Sequence, residues 1–321
     1  MMKKIIPVLL CMTLLLSVTA LFAGCSEGPI TTADNNGTTI VVTSPAAYAL
    51  VRPLTHNYVE DGGTSIVTVV PLYKPGQDIH SFEPTAKDII SLVSADVVVS
   101  TGSEGWLESS LRASGNTSAR VVSMMEVCDI HAVEHDHDHS HEDSACALIG
   151  NDEHVWLSVE NAIDITHAVA EALRQVDGGS GAVWTAHEEK VCGELRALAN
   201  EYTDMMTTAT KRTVVVADRH PFSYLFRDLG VGCVAAFPGC SSETSASFET
   251  QTALIEAVRE NGLAYIFVME GSDTKVAGVV AGETGAEILT LNSLQIVSDY
   301  ENISYIETMK GNLENLKKAL Q

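Results

Sequence analysis

The sequence predicts an α/β protein with two lobes, each built on a parallel sheet flanked by helices, joined by one long backbone helix. Short runs rich in valine and isoleucine alternate with helix-like segments, first over residues 39–181 and again over residues 213–321. Such runs, without polar alternation, are typical of strands buried on both faces by helices. Between the two regions lies a segment, residues 182–212, that is almost free of glycine and proline.

The first lobe, residues 39–181, alternates predicted strands with predicted helices. A helix is expected to begin at Pro84, because proline suits the first helical turn. The strands are expected at Thr39–Thr43, Ser65–Pro71, Asp96–Ser100 and Arg120–Met124, and the helices at Tyr48–Tyr58, Pro84–Val93, Glu104–Arg112 and Ser158–Val176.

The second lobe, residues 213–321, repeats the alternation. Its strands are expected at Thr213–Ala217, Val231–Phe237, Ala264–Met269 and Glu287–Leu291, and its helices at Pro221–Leu229, Glu249–Glu260, Thr274–Thr284 and near Asn302–Leu320.

The segment 182–212 predicts one long helix between the lobes. Its apolar residues step by four, three, four and three positions, which gives a single apolar stripe. At 1.5 Å per residue, a helix of this length runs roughly 45 Å, enough to span both lobes. The stripe consists of Val191, Leu195, Leu198, Tyr202 and Met205.

The N-terminus predicts export and lipid anchoring. Residues 1–24 begin with a basic start, continue with the apolar run Ile5–Ala20 and end in small residues, which is typical of a secretory signal and too short for a membrane span. The stretch ending at Cys25 resembles a bacterial lipoprotein cleavage box, which implies a lipid on Cys25. Residues 25–38 then predict a flexible tether, so we expect an extracytoplasmic protein anchored to the cell membrane.

Charge and cysteine content narrow the class of partner. With 42 acidic and 19 basic residues the net charge is −23, which repels nucleic acid and attracts cations. Five cysteines follow Cys25, and an odd number outside the cytoplasm leaves at least one without an intramolecular partner. Two pairings are hypotheses, Cys128 with Cys146 and Cys233 with Cys240.

Three histidines occupy positions expected of a cleft. His80 follows the second predicted strand, His154 precedes the helix at 158–176, and His220 comes just after the strand at 213–217. In open parallel sheets, ligands bind beyond the carboxyl ends of the strands. A lone histidine near a helix start is more often a surface or capping residue, but three of them so placed favour a shared site.

The segments around these histidines resemble the metal-binding lipoproteins of ABC importers for zinc or manganese, and the zinc-type members most closely. The resemblance covers nearly all of the chain after the tether. It implies two lobes on a helical backbone, metal ligands at His80, His154 and His220, a permease and ATPase as partners, a monomer and no enzymatic activity. The segments are PGQDIHSFEPTAKDI (75–89), NDEHVWLS (151–158), DRHPFSYLFRDLG (218–230) and FVMEGSDTKVAGVVAGETGAEILTLNSLQ (267–295).

The fourth ligand stays open at this point. The family commonly has aspartate where this chain has Asn292, and an amide oxygen carries no charge. Water, Asp78 or Glu270 are the other candidates, and Glu270 is equally a candidate for orienting a ligand histidine. Three imidazoles favour Zn²⁺, whereas Mn²⁺ favours more carboxylate oxygen.

A histidine-rich run, HAVEHDHDHSHED over residues 131–143, predicts an accessory metal-collecting loop. It has neither apolar periodicity nor turn order, and loops of this kind occur in zinc-type members of the family. Flexible imidazoles and carboxylates hold cations weakly at high local concentration. Its histidines are His131, His135, His137, His139 and His141.

Other functions are weighed against zinc import. A manganese-binding homologue and a surface metal buffer or adhesin share the same cleft, so sequence separates them poorly from a zinc importer. An extracellular zinc hydrolase needs a ligand motif such as HExxH, and the closest stretch, at 187–190, lacks the second histidine. We therefore expect a binding protein.

Overall fold

Two four-stranded sheets, both parallel throughout, organise the part of the chain that the computed structural model describes. The described residues are 37–55, 67–128, 152–177, 181–238, 246–300 and 302–321. Residues 37–321 form one compact unit. The predicted signal, Cys25 as the predicted lipidation site, the predicted tether up to residue 36 and the histidine-rich run lie outside the described residues.

The first sheet has strand order β2-β1-β3-β4. Its two central strands are valine-rich and almost wholly buried, because helices cover both faces. The strands are β1 (Thr38–Val42), β2 (Val67–Pro71), β3 (Val97–Ser100) and β4 (Arg120–Ser123).

Five α-helices lie in the described residues of this half of the chain. Local capping sets several of their starts: Thr85 and Asp88 form a capping box, and the hydroxyl of Ser158 accepts a hydrogen bond from the backbone N–H of Asn161. The helices are α1 (Pro45–Thr55), α2 (Ala86–Val93), α3 (Leu107–Ser114), α4 (Met124–Val127) and α5 (Val159–Val176).

The predicted long helix is α6, Gly181–Thr208, with 28 residues and a length of about 42 Å. Its predicted apolar stripe is buried from Val191 to Met205. Within that stripe the hydroxyl of Tyr202 donates to the carbonyl of Met309, at 2.7 Å, and so ties α6 to the last helix of the chain.

The second sheet has strand order β6-β5-β7-β8. Its strands are β5 (Thr213–His220), β6 (Gly232–Pro238), β7 (Tyr265–Met269) and β8 (Glu287–Leu291), and its helices are α7 (Ser223–Leu229), α8 (Phe248–Glu260), α9 (Lys275–Thr284) and α10 (Tyr305–Leu320).

Strand order fixes where a ligand site is expected. In each sheet the order reverses beside the first strand, between β1 and β3 and between β5 and β7. Crevices open at the carboxyl ends of strands at such switch points. A ligand site is therefore expected at the carboxyl ends of β1, β3, β5 and β7, beside the segments that follow β2 and β8.

One hydrophobic core runs through both halves. The same cluster of buried residues includes Ile40 of the first sheet, Leu198 of α6 and Phe267 of the second sheet. A second, smaller cluster lies on the other face of the second sheet, around Leu254 and Ile266. Because the main core is shared, the two sheets are joined by packing as well as by the chain.

The fold class is confirmed, and the bounds of some elements differ from prediction for local reasons. The helix expected at Glu104–Arg112 begins at Leu107, because the carboxylate of Glu104 binds the backbone N–H groups of Thr101 and Gly102. The last helix begins at Tyr305 rather than near residue 302, since Ser304 caps it.

The structure contradicts one of the two hypothetical disulfides. The thiol of Cys128 is free and buried, and it lies 3.9 Å from the carbonyl oxygen of Asn161. The predicted bridge from Cys128 to Cys146 is therefore wrong. Cys146 and Cys240 both lie outside the described residues. The pairing of Cys233 with Cys240 stays a prediction. Among the helices of the described ranges, none combines the length and apolar character that a membrane crossing requires.

A buried carboxylate on α6 yields a stability prediction. Glu188 is 9% exposed and accepts hydrogen bonds from Arg174 and His167 of α5. Burial raises the pKa of Glu188, but the bonds from Arg174 and His167 outweigh it and leave the pKa lowered. A lowered pKa means stability that is present above the ordinary carboxyl pKa and lost as the pH falls through the folded value.

We expect Glu188→Gln to lower the free energy of unfolding at pH 7 by about 1–3 kcal/mol, because Arg174 and His167 lose a charged acceptor. The deficit should shrink as the pH falls below about 4, where the wild-type carboxyl is protonated in the unfolded state. Denaturant unfolding of the variant and the wild type at several pH values measures the difference in free energy of unfolding. Glu189→Gln, one residue on and exposed, is the control. Equal stability of the two variants at pH 7 would contradict the prediction.

Candidate metal centre

His80 stands on a tight turn after β2. The turn passes through Gly76, whose φ of 78° suits glycine and whose N–H donates to the carbonyl of Val297 at 2.8 Å. Asp78 then accepts a hydrogen bond from the backbone N–H of His80, at 3.0 Å, and so caps a 3₁₀ turn over Ile79–Ser81. These contacts fix the backbone at His80.

His154 is positioned by the acid two residues before it. Oδ1 of Asp152 lies 2.5 Å from Nδ1 of His154 and 3.0 Å from its backbone nitrogen. Burial raises the pKa of Asp152, but the hydrogen bonds and charge of His154 outweigh it and lower the pKa. An ionised acceptor on Nδ1 fixes the proton there and leaves Nε2 as the metal-binding nitrogen, a common way of orienting a ligand histidine.

The two histidines meet around a third donor. Donor atoms of His80, Glu153 and His154 all lie within 4.8 Å of one another, and the two imidazole centroids are 5.7 Å apart. Nδ1 of His80 is 2.9 Å from Oε1 of Glu153. The prediction missed Glu153, although its place beside His154 in the sequence was a usable signal. We call these three residues the metal group.

A cavity of about 370 Å³ lies beside the metal group. Two of the three members, His80 and Glu153, line it, and its other walls combine aromatic rings with hydroxyl and carboxyl groups. It is a route by which a cation can reach the group from solvent. The remaining lining residues are Tyr73, Ile79, Phe82, Thr101, Ser103, Glu104, Gly105 and Trp106.

A loop from the second sheet reaches the group through a residue that the sequence did not single out. Oε1 of Gln295 lies 3.0 Å from Nε2 of His80. Gln295 is fully buried, and its backbone N–H donates to Glu270 at 3.3 Å. The segment 292–295 therefore supports the imidazole from the opposite half of the protein.

Glu270 holds that loop in place. Its carboxylate accepts hydrogen bonds from the backbone N–H of Ser293, at 2.7 Å, and from the hydroxyl of Ser293, at 2.6 Å. Burial raises the pKa of Glu270, and the bonds from Ser293 and Gln295 only partly offset this. The structure thus gives Glu270 a supporting place behind His80.

Asn292 and Asp78, the other fourth-ligand candidates, are also engaged by the protein. The side-chain oxygen of Asn292 accepts from the backbone N–H of Leu294 at 2.9 Å and shapes the turn in which Leu294 has a φ of 60°. Oδ2 of Asp78 lies 3.2 Å from a guanidinium nitrogen of Arg219. Neither Asp78 nor Glu270 belongs to the metal group.

His220 ends β5 and is outside the metal group. Its ring stacks on Phe226 with centroids 5.3 Å apart, and Nδ1 lies 3.8 Å from the sulfur of Cys233. Nε2 is turned the other way, 3.5 Å from the hydroxyl of Ser223. The next residue, Tyr224, donates from its hydroxyl to the carbonyl of Asp152 at 3.1 Å, so His220 neighbours the segment that carries His154.

The arrangement suits binding of a divalent metal. Two imidazoles and a carboxylate are donors that Zn²⁺ accepts, and each is oriented by a second residue. The five histidines of the 131–143 run lie outside the described residues. Fold and site together define a protein of two parallel sheets with a candidate metal centre built from His80, Glu153 and His154.

Comparison with known proteins identifies the family of the chain. Residues 40–319 match the family profile described as ZnuA, zinc-uptake complex component A, periplasmic. This match covers most of the chain, and the protein belongs to that family.

Individual relatives span different shares of their own chains. A Treponema pallidum (strain Nichols) protein named for metal binding is 30% identical over 269 residues, covering 80% of this chain and 81% of its own. The zinc-binding lipoprotein AdcA of Streptococcus pneumoniae serotype 4 (strain TIGR4) is 26% identical over 253 residues, 76% of this chain. The chain thus spans about half the length of AdcA, 50%.

The crystal structure of the metal-dependent lipoprotein YcdH from Bacillus subtilis shares the fold, with a TM-score of 0.71. It covers 88% of this chain and 99% of its own, at 23% identity.

The support of His80 through the 292–295 loop is testable. We expect Glu270→Ala to weaken zinc binding about 10–100-fold, because the loop loses its anchor and Gln295 no longer holds the imidazole. Calorimetric titration of the metal-free protein measures the affinity. Asp273→Asn, an exposed acid three residues on that pairs with Lys275, is the control. An affinity unchanged in Glu270→Ala would rule out this support.

Proposed function

We propose that the protein captures Zn²⁺ outside the cytoplasm and hands it to the permease of an ABC importer. The observation that supports this most directly is the meeting of His80 and His154, far apart in the sequence, around one carboxylate. Membership of a zinc-uptake family and the zinc-binding name of AdcA favour zinc as the cargo. The imidazole nitrogens favour it as well, since Mn²⁺ prefers more oxygen ligands.

We propose His80, His154 and His220 as the histidine ligands. His80 and His154 are contributed by the first half of the chain, residues 39–181, and His220 by the second half, residues 213–321. Nε2 of His220 lies 3.5 Å from the hydroxyl of Ser223, and the adjacent Tyr224 bonds to the carbonyl of Asp152. An approach of these two segments would add a third imidazole. Zn²⁺ at about 2.0–2.1 Å from each nitrogen would then draw the two halves together.

Transfer is proposed to need only small shifts. The main core is common to both sheets, and α6 is unbroken over its 28 residues. Wide hinge motion would disrupt that packing, so we propose that metal release comes from small shifts of the lobes or of loops at the site. The partners would be a permease and its ATPase, and the protein would act as a monomer. We propose no enzymatic role.

Two further elements complete the proposal. The histidine-rich run at 131–143 would collect cations weakly near the cleft, as an accessory to the main site. A lipid on Cys25 would keep the protein at the outer face of the cell membrane, and the lipoprotein AdcA is a relative of that kind.

Zinc binding at the cleft can be separated from binding by the run. We would change the five histidines of the run to serine in the mature chain, remove metal, and titrate with Zn²⁺ and with Mn²⁺. We expect one tight zinc site and weaker manganese binding. His80→Ala, His154→Ala and His220→Ala should each lower zinc affinity at least about 100-fold, since each removes a ligand.

His187→Gln is the control for that titration. His187 lies on α6, and its Nδ1 is 2.6 Å from the carbonyl oxygen of Leu54 on α1, away from the site. Absence of any tight site in the serine variant would place metal binding in the run and contradict the proposal. Unchanged affinity in His220→Ala alone would confine the ligands to the metal group.

Anchoring by Cys25 makes a separate prediction. Cys25→Ser should release the protein from the membrane fraction of the producing bacterium, because a lipid chain supplies the anchor. Fractionation followed by immunoblotting measures this, with Cys11→Ser inside the predicted signal as the control. A Cys25→Ser protein that stays with the membrane as the control does would contradict lipid attachment at Cys25.

A further inference from the structure

The three residues that the sequence suggested as a fourth metal ligand all have other partners in the structure. Asn292 is occupied in its own turn, Asp78 binds Arg219, and Glu270 holds the 292–295 loop. Tetrahedral zinc needs four donors, and the three proposed histidines provide three. A charged oxygen close to His80 and His154 is therefore the feature to look for.

We infer that Glu153 is the fourth ligand of the metal. This inference rests on the proposed function and adds a residue to its site. Glu153 is the acid whose oxygen lies within 4.8 Å of donor atoms of both His80 and His154. In a tetrahedral zinc site with bonds of about 2.0–2.1 Å, neighbouring ligand atoms are about 3.3 Å apart. The metal group is thus close to the spacing that the ion requires.

The two oxygens of Glu153 have different surroundings. Oε2 accepts a hydrogen bond from the hydroxyl of Ser103, while Oε1 is directed at Nδ1 of His80, 2.9 Å away. Its side chain is 17% exposed, so it is accessible from the cavity. One oxygen fixes the carboxylate and the other is presented to the histidine pair, which is the arrangement expected of an oriented ligand.

The loop that presents Ser103 is itself rigid. Glu104 accepts hydrogen bonds from the backbone N–H groups of Thr101, at 2.9 Å, and Gly102, at 2.8 Å, and from the hydroxyl of Thr43. Gly102 has a φ of 101°, and an added Cβ would lie 2.4 Å from the hydroxyl oxygen of Ser123. This conformation and the contact with Ser123 favour glycine, and the hydrogen bonds of Glu104 hold the loop that carries Ser103 at the end of β3.

A carboxylate ligand has two chemical consequences. It adds a negative charge to a set of neutral imidazoles, which strengthens the attraction for a divalent cation in a partly buried site. It also closes a tetrahedral shell together with three histidines, and zinc hydrolases keep that fourth position open for water. Glu153 thus makes the site one for holding zinc rather than for activating water.

Ligation and mere support of His80 are separable by three variants of the mature chain that carries serine in the histidine-rich run. Glu153→Gln keeps one oxygen that can accept from His80, and its NH2 can donate to the hydroxyl oxygen of Ser103. It removes the charge, and a neutral amide binds zinc weakly. Glu153→Ala removes both. Glu160→Gln, an exposed acid in the first turn of α5, is the charge-matched control.

We expect Glu153→Gln and Glu153→Ala each to lower zinc affinity roughly 100-fold. The visible absorption bands of bound Co²⁺ should change in both, since the shell loses a ligand. Glu160→Gln should stay within about threefold of the parent, with an unchanged Co²⁺ spectrum, because a screened surface charge has little effect. Thermal unfolding of the metal-free variants establishes that each is folded.

Three results would overturn the inference. Parental affinity and an unaltered Co²⁺ spectrum in Glu153→Gln would mean that Glu153 only supports His80, or does neither, while the proposed function stands. A parent without a tight zinc site would overturn the proposed function and the role of Glu153 together. Affinity lowered equally in Glu160→Gln would mean that the effect is general electrostatics and would also overturn it.

Discussion

The indole of Trp156 is the contact on which the site depends. It is fully buried, its N–H donates to the carbonyl of Ser293 at 2.8 Å, and its own carbonyl accepts from the hydroxyl of Tyr305 at 2.7 Å. Trp156 follows His154 by two residues, and Ser293 belongs to the loop that supports His80. A buried hydrogen bond between the halves thus sets the position of one histidine relative to the loop behind the other.

Carboxylates do the local positioning around that contact. Asp152 orients His154, Asp78 caps the turn of His80, and Glu270 anchors the 292–295 loop. Each acid binds backbone N–H groups of the segment that it fixes, so it acts over a few residues only. The site is assembled from several rigid short segments, and the shared core brings them together.

Much of the fold, and part of the candidate site, could be predicted from the sequence. Valine-rich runs and the apolar stripe of α6 depend on periodicity, which neighbouring residues determine, and so the two sheets and the long helix were predictable. His80 and His154 were predictable because they follow or precede regular elements. Their meeting with Glu153 was not, since it depends on how the turn at 78–81 and the segment at 152–157 approach each other in space.

The remaining features of the site could not be predicted because they depend on which partner each side chain finds in the folded protein. Asn292, Asp78 and Glu270 have the right chemistry for a metal, but the structure gives them other partners. Gln295 has no charge and no motif of its own, so only its contact with Nε2 of His80 reveals it. Sequence patterns identify which groups are able to bind, whereas the folded chain decides which of them are already occupied.

Two of the connections across the halves differ in how they respond to dissolved salt. Trp156 is buried, so dissolved ions do not reach its hydrogen bond. The pair between Arg219 and Asp78 is partly open to solvent, with each side chain 24% exposed, and it lies next to His220 and His80. Ions screen such a pair. The hydrogen bond of Trp156 is therefore insensitive to salt. The ion pair between Arg219 and Asp78 weakens as the salinity of the surroundings rises.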